Sequence, residues 1–197
     1  MKTAAKAQPE PRKPSSDERL VRLCLKGDQE AWNDLIEKYK NLIYSIPIKL
    51  GMYDDAADIF QSVCVDLLSE LPKLREPKAL PKWLMQVCYH KCLEHRKRAQ
   101  KQVQLAGEDA AKLPADTDKP LPEELLDQLQ REQIVRDVVA SLPTRCARMV
   151  RMLFYEMPPR PYQQVARDLG IATGSIGFIR GRCLTRLKSQ LEKMGFR

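Results

Sequence analysis

The sequence predicts an all-α fold: two small helical domains joined by a flexible acidic linker, the second a helix-turn-helix domain. Three observations predict it. Apolar residues recur at helical spacing through most of the 197 residues, with no segment of convincing strand period. One long interruption, from about Ala99 to Pro122, carries Gly107, Pro114, Pro120 and Pro122. The net charge of +8 falls entirely after that interruption. The expected organisation is a disordered tail at 1–15, a helical domain at 16–99, a linker at 100–122 and the helix-turn-helix domain at 123–197.

The elements follow in order. Residues 1–15 mix Lys, Ala, Pro and polar residues without periodicity. Ser16 or Asp17 starts a helix through Lys26, and Gly27-Asp28 breaks it. A long second helix places Trp32, Leu35, Ile36, Tyr39, Ile43 and Ile46 on one face, until Pro47 kinks or ends it. A third runs from about Asp54 to Leu71, with Ile59, Val63, Leu67 and Leu71 periodic. A Pro-punctuated connector leads to a fourth helix holding Trp83, Leu84, Val87, Cys88, Cys92 and His95. Trp83 reads as core, and the helix leaves through Arg96-Lys97-Arg98. The stretch from Leu105 to Asp137 is acidic, nine Asp and Glu against four Lys and Arg. Helices then resume at Glu123–Leu142 and Thr144–Glu156.

The last stretch reads as a helix-turn-helix. Pro161 suits a first helical position, and Tyr162, Val165, Ala166 and Leu169 mark one buried face. Gly170 is placed to close that helix in a left-handed turn, and Thr173 or Ser175 to cap the next. Ile176, Ile179, Cys183, Leu187 and Leu191 give the final helix its own apolar face. So short a Gly-containing turn is how many proteins put a helix into the major groove. From Pro143 to Arg197 eleven Lys and Arg face three Asp and Glu, while the other 142 residues balance at 23 against 23. A basic excess confined to the segment that holds this motif is the electrostatic footprint of phosphate binding.

Composition excludes other classes. No apolar run approaches the ~20 residues of a membrane span, and the N-terminus lacks the apolar core of a secretory signal, so a cytoplasmic protein is expected. In that compartment Cys24, Cys64, Cys88, Cys92, Cys146 and Cys183 are expected to be reduced and to act as small buried hydrophobes. Cys88, Cys92 and His95 share a helical face, but tetrahedral structural zinc wants four ligands and no fourth candidate is evident. No phosphate loop, paired catalytic carboxylates or nucleophile–base set is present. The expectation is a non-enzyme without metal or cofactor. An enzyme or metal-dependent redox sensor built on Cys88, Cys92 and His95 is the alternative from another class. With nothing past the last helix, no further C-terminal regulatory domain is expected.

The order of motifs resembles the sigma-70 family of bacterial transcription initiation factors, in its small two-domain extracytoplasmic-function type. In the first domain the resemblance runs through Gly27-Asp28, Glu30-Ala31-Trp32, Leu42-Ile43-Tyr44, Asp55-Ala56-Ala57-Asp58-Ile59-Phe60-Gln61 and Trp83-Leu84. In the second it runs through Leu142-Pro143, Tyr162-Gln163-Gln164-Val165-Ala166, Leu169-Gly170-Ile171 and Gly174-Ser175-Ile176. It covers roughly residues 17–99 and 123–193. Order and spacing across two domains carry it more than any one motif.

The resemblance implies a non-catalytic subunit that binds core RNA polymerase, through its beta-prime clamp and beta flap, and directs it to promoter DNA. The first domain would bind the clamp and the −10 element, the second the flap and the −35 element. Asp55, Asp58 and Gln61 match positions that face the clamp. Tyr89, His90, Lys91, Arg96, Lys97 and Arg98 line the fourth helix and its exit, where cations track phosphates and rings stack on melted bases. The family usually has Asn at the position of His90 and Asp at that of Glu94. For the −35 element the candidates are Thr173, Ser175, Phe178, Arg180, Arg182 and Arg186, with Phe178, Arg182 and Thr185 pointing outward on a helical wheel. Gly177 and Gly181 cost about 1 kcal/mol each relative to Ala and permit close approach of DNA or another helix. In the family the linker threads the polymerase's basic channels, which its carboxylates complement. An anti-sigma protein is a further implied partner. The competing reading is a one-component helix-turn-helix regulator, whose first domain has no need of the acidic helix or the Trp-led basic one.

Overall fold

A computed structural model describes residues 16–105 and 120–196, and among these every regular element is a helix. The expected tail and most of the acidic linker lie outside the described residues. The helices are α1 (Asp17–Cys24), α2 (Gln29–Lys49), α3 (Ala56–Glu70), α4 (Leu80–Leu105), α5 (Glu123–Ser141), α6 (Thr144–Phe154), α7 (Tyr162–Leu169) and α8 (Ile176–Lys193). They divide into two compact units, one ending at Arg131 and one beginning at Glu132.

The first unit is built on α1–α4. Ser16 caps α1 by accepting from the Arg19 amide, and Gly27, at φ +82°, turns the chain. The Asp28 carboxylate then accepts from the Glu30 and Ala31 amides to open α2. Leu35, Leu42, Ile43 and Ile46 of α2, Ile59 and Val63 of α3, and Leu84, Met85 and Cys88 of α4 are fully buried together. Each such aliphatic side chain stabilises the fold by about 1.5–3 kcal/mol. Tyr39 joins them with its hydroxyl satisfied, donating to Asp17 Oδ1 at 2.7 Å. Lys38 donates to the same oxygen, also at 2.7 Å.

Pro47 neither stops nor ends α2, which continues to Lys49. Proline lacks the N–H that would bond the carbonyl four residues back, at Ile43. The Cys88 thiol donates to that carbonyl instead, at 3.4 Å. The lost ladder bond is thereby replaced from α4. That helix also outruns its expected end and reaches Leu105, since Gln100–Leu105 contains neither Gly nor Pro. The beginning of α5 packs with the same core: Leu121 and Leu129 are buried in it, and the Leu121 amide donates to Gln86 Oε1 at 3.3 Å.

The second unit holds the rest of α5 with α6, α7 and α8. Val139, Leu142, Ala147 and Val150 form one small buried cluster. Met149, Met152, Leu153, Val165, Ala166, Leu169 and Ile176 form another. Polar ties supplement them. Arg160 bridges Glu156 and Asp168, and Arg148 donates to the Asp168 carbonyl at 3.0 Å.

The expectation of six reduced cysteines is corrected here. Cys24, Cys64, Cys88 and Cys92 are free, but Cys146 of α6 and Cys183 of α8 form a disulfide. The helices bring their Cα atoms to 5.3 Å, within the range such a bridge requires.

Candidate nucleic-acid interface

In the second unit the turn forms as its residues demand. Gly170 ends α7 at φ +63°, a left-handed conformation that a side chain disfavours. Ala172 is extended, and a short 3-10 turn over Thr173–Ser175 leads into α8. That turn corrects the capping expectation. Ser175 already has helical dihedrals, whereas a side-chain cap needs an extended residue, so neither Ser175 nor Thr173 caps α8. Both stay exposed at its entrance. Pro161 sits just before α7 rather than at its first position.

The inner face of α8 carries buried Ile176 and Cys183, with Ile179, Leu187 and Leu191 half-buried. Its outer face is open. Phe178 is 71% exposed, and the Arg182 guanidinium lies 5.8 Å from its ring centre, a solvent-facing cation–π pair. Arg186, Thr185 and Lys193 continue the face along a shallow open concavity of about 720 Å³. A Cβ added at Gly177 or Gly181 would meet nothing within 4 Å. These glycines therefore leave a bare backbone strip facing outward and do not serve helix packing within this unit.

Arg180 stands apart. Its guanidinium lies over the Tyr162 ring at 5.8 Å and donates to the Tyr162 hydroxyl. Tyr162, expected on the buried face of α7, is 42% exposed and holds this arginine. Arg180 therefore tethers α7 to α8, while Arg182 and Arg186 present their charges outward.

In the first unit the six residues expected along α4 divide sharply. Tyr89 is 9% exposed and belongs to the core, so its ring is not available to stack on a base. His90 is hydrogen-bonded to Gln86 at 2.8 Å. Lys91 pairs with Asp66 of α3 at 2.9 Å. Arg96 donates to the Leu50 carbonyl at 3.1 Å and pins α4 to the end of α2. Lys97 and Arg98 remain exposed at the α4 exit.

On α3, Asp58 and Gln61 are exposed, while Asp55, just before the helix, lies 3.5 Å from His95 Nδ1 of α4. The sequence reading missed the continuation of this stripe. Val65 and Leu68, at helical spacing from Gln61, are 64% and 58% exposed. Beside them Trp32, Ile36 and Cys64 line a hollow of about 540 Å³. The signal was present as two apolar residues off the core-facing register of α3. The metal alternative fares differently. Cys88 and Cys92 are buried, the Cys88 thiol is pushed up by its hydrogen bond to Cys92 and by burial, and His95 turns to Asp55.

No protein-family profile matches the chain. It is 22% identical over 167 residues to the ECF RNA polymerase sigma-E factor of Haemophilus influenzae, across 82% of this chain and 87% of that protein. This similarity supports a sigma-factor relationship. The aligned span is too long to fit within the second unit, so it includes helices of both. Among the described residues no helix is long and apolar enough to cross a membrane.

Proposed function

We propose that this chain is a non-catalytic initiation factor that binds core RNA polymerase and directs it to promoter DNA in the cytoplasm. One observation carries the reading most: the likeness to a sigma factor extends over both units rather than the helix-turn-helix alone. A one-component regulator would use its first unit for dimerisation or ligand binding, with no need of a sigma-like one. In this reading the outer face of α8 lies at the −35 element. Arg182 and Arg186 meet phosphates or guanine edges, Phe178 meets a thymine methyl, and the glycine strip lets the backbone approach. Lys97 and Arg98 take the −10 phosphates, with Arg96 fixing the helix that carries them. The stripe of Asp58, Gln61, Val65 and Leu68 meets the beta-prime clamp, and the second unit also meets the beta flap. An anti-sigma protein restrains the factor until a signal releases it.

The test is reconstitution. The protein, mixed with bacterial core RNA polymerase, co-elutes with it and supports promoter-specific transcription on fragments of its own genome. Sequence-specific duplex binding without polymerase binding would hand the chain to the one-component reading. A pull-down from native cells recovers an inhibitor as well as polymerase; recovery of polymerase alone counts against the restrained form.

A further inference from the structure

The Cys146–Cys183 disulfide of the second unit has no part in the proposed function. Its position matters for what it encloses. Cys146 lies in the first turn of α6 and Cys183 in the middle of α8, 37 residues apart. The ring they close contains all of α7, the left-handed Gly170 and the turn into α8. Cys183 occupies the inner face of α8, next in sequence to Arg182 of the outer face. The bond therefore ties the helix that presents Phe178, Arg182 and Arg186 to the helix packed behind it.

The two sulfurs are not equally approachable. Cys183 is 2% exposed, whereas Cys146 is only partly buried. Cys146 is also the third residue of α6, where the backbone amides have no intrahelical acceptor and the helix dipole is positive. Arg145 and Arg148 stand on either side of it in sequence, so the approachable sulfur lies in a basic stretch of the helix. Of the free thiols of the first unit, Cys24, Cys88 and Cys92 are buried and Cys64 is half-buried, and none has a second sulfur bonded to it. Burial pushes Cys24 up to about 11 and raises Cys64 as well.

We infer that Cys146 and Cys183 form a reversible oxidation site for a peroxide, with Cys146 as the attacking thiolate and Cys183 as the resolving thiol, and that its oxidised form staples α8 to α6. In the first step the Cys146 thiolate attacks one peroxide oxygen, the O–O bond breaks, and the other oxygen leaves as water or an alcohol after taking a proton. In the second, Cys183 attacks the sulfenic sulfur, its proton goes to the departing hydroxyl, and water leaves as the S–S bond forms. The two thiols lose two electrons and the peroxide gains them. A dithiol reverses the process: one thiolate opens the bond through a mixed disulfide, and its second thiol closes the reductant's own disulfide. Without the bond, α8 is held by Ile176, Ile179 and Leu187 in two small clusters and by the Arg180–Tyr162 tie. A core that small depends on a staple. That oxidation sets DNA binding rests on the function proposed above; the thiol chemistry does not.

The experiment takes the full chain after hydrogen peroxide, after dithiothreitol, and as the Cys146→Ala variant under both. Maleimide mass shifts on denatured samples count thiols, thermal melts and α8 amide exchange report the second unit, and a fluorescent random-sequence duplex at low salt reports DNA binding. The expected result is four reactive thiols after peroxide and six after dithiothreitol, over repeated cycles. The second unit of the reduced protein should melt at least about 10 °C lower, with faster exchange in α8 and weaker duplex binding. Cys146→Ala should melt like the reduced protein whatever the treatment. Six thiols after peroxide, or melts and exchange independent of redox state, overturn the inference. If thiols, melts and exchange behave as expected but neither form binds the duplex or core polymerase, the site stands and the initiation-factor reading falls.

Discussion

Among the described residues, the unit ending at Arg131 buries twenty-two side chains in one continuous cluster, whereas the unit from Glu132 buries eleven in two patches. The charge is distributed the other way, since the whole excess of +8 lies between Pro143 and Arg197. Burial gives the first unit its stability and leaves the outer face of α3 free to carry exposed apolar residues. The second unit spends its surface on arginines that repel one another. It holds its shape with polar ties at Arg148, Arg160 and Arg180 and with one covalent bond. A small basic module can thus stay folded while the outer face of its last helix is left largely uncovered.

The largest expected effect tests the first half of that contrast. Leu35→Ala leaves a cavity among α2, α3 and α4 and should cost the first unit roughly 2–5 kcal/mol in denaturant unfolding, with the second unit unchanged. Next comes Cys146→Ala, which should cost the second unit about 3 kcal/mol and leave the first untouched. Equal losses in both units from either variant would erase the distinction. On the surface, Arg182→Ala should weaken duplex binding by about 1–3 kcal/mol if it reads a guanine, at unchanged stability. If it meets only a phosphate, the salt dependence should flatten by about one ion instead. The smallest effect separates the units by pH. Cys24 lies at about 11 against an ordinary 9.0, through burial first and the nearby Asp28 second. The unfolded thiol loses its proton before the folded one does. The Cys24 contribution to first-unit stability should therefore be fully present below pH 9 and be lost from about pH 9 toward 11, while the oxidised cysteine pair, which does not titrate, adds no such slope to the second.

Much of this architecture was legible because it is local. Gly27-Asp28 announces its own break, Gly170 its own turn, and the α8 core face follows from spacing within one helix. What sequence reasoning missed depends on partners distant in the chain. Pro47 is harmless only because Cys88 arrives from α4 to satisfy Ile43. The cysteine pair becomes a bond only because α6 and α8 cross in one register. Tyr89 shows how fine the margin is: it follows buried Cys88 and turns inward, while His90, one step further round, is half-exposed. The helices that carry the expected interface residues were legible. Which side chains stay available was not, since Lys91, Arg96 and Arg180 are each claimed by a neighbour.

The ring closed between Cys146 and Cys183 also changes what a cut in the chain means. A protease that severs one peptide bond between these residues, for example in the exposed stretch around Met157, opens the loop without parting the molecule. The two fragments remain one covalent body, with α8 still attached to α6. A nick that would free α8 of the reduced protein leaves the oxidised protein joined, and the cut shows on a gel only after the disulfide has been reduced.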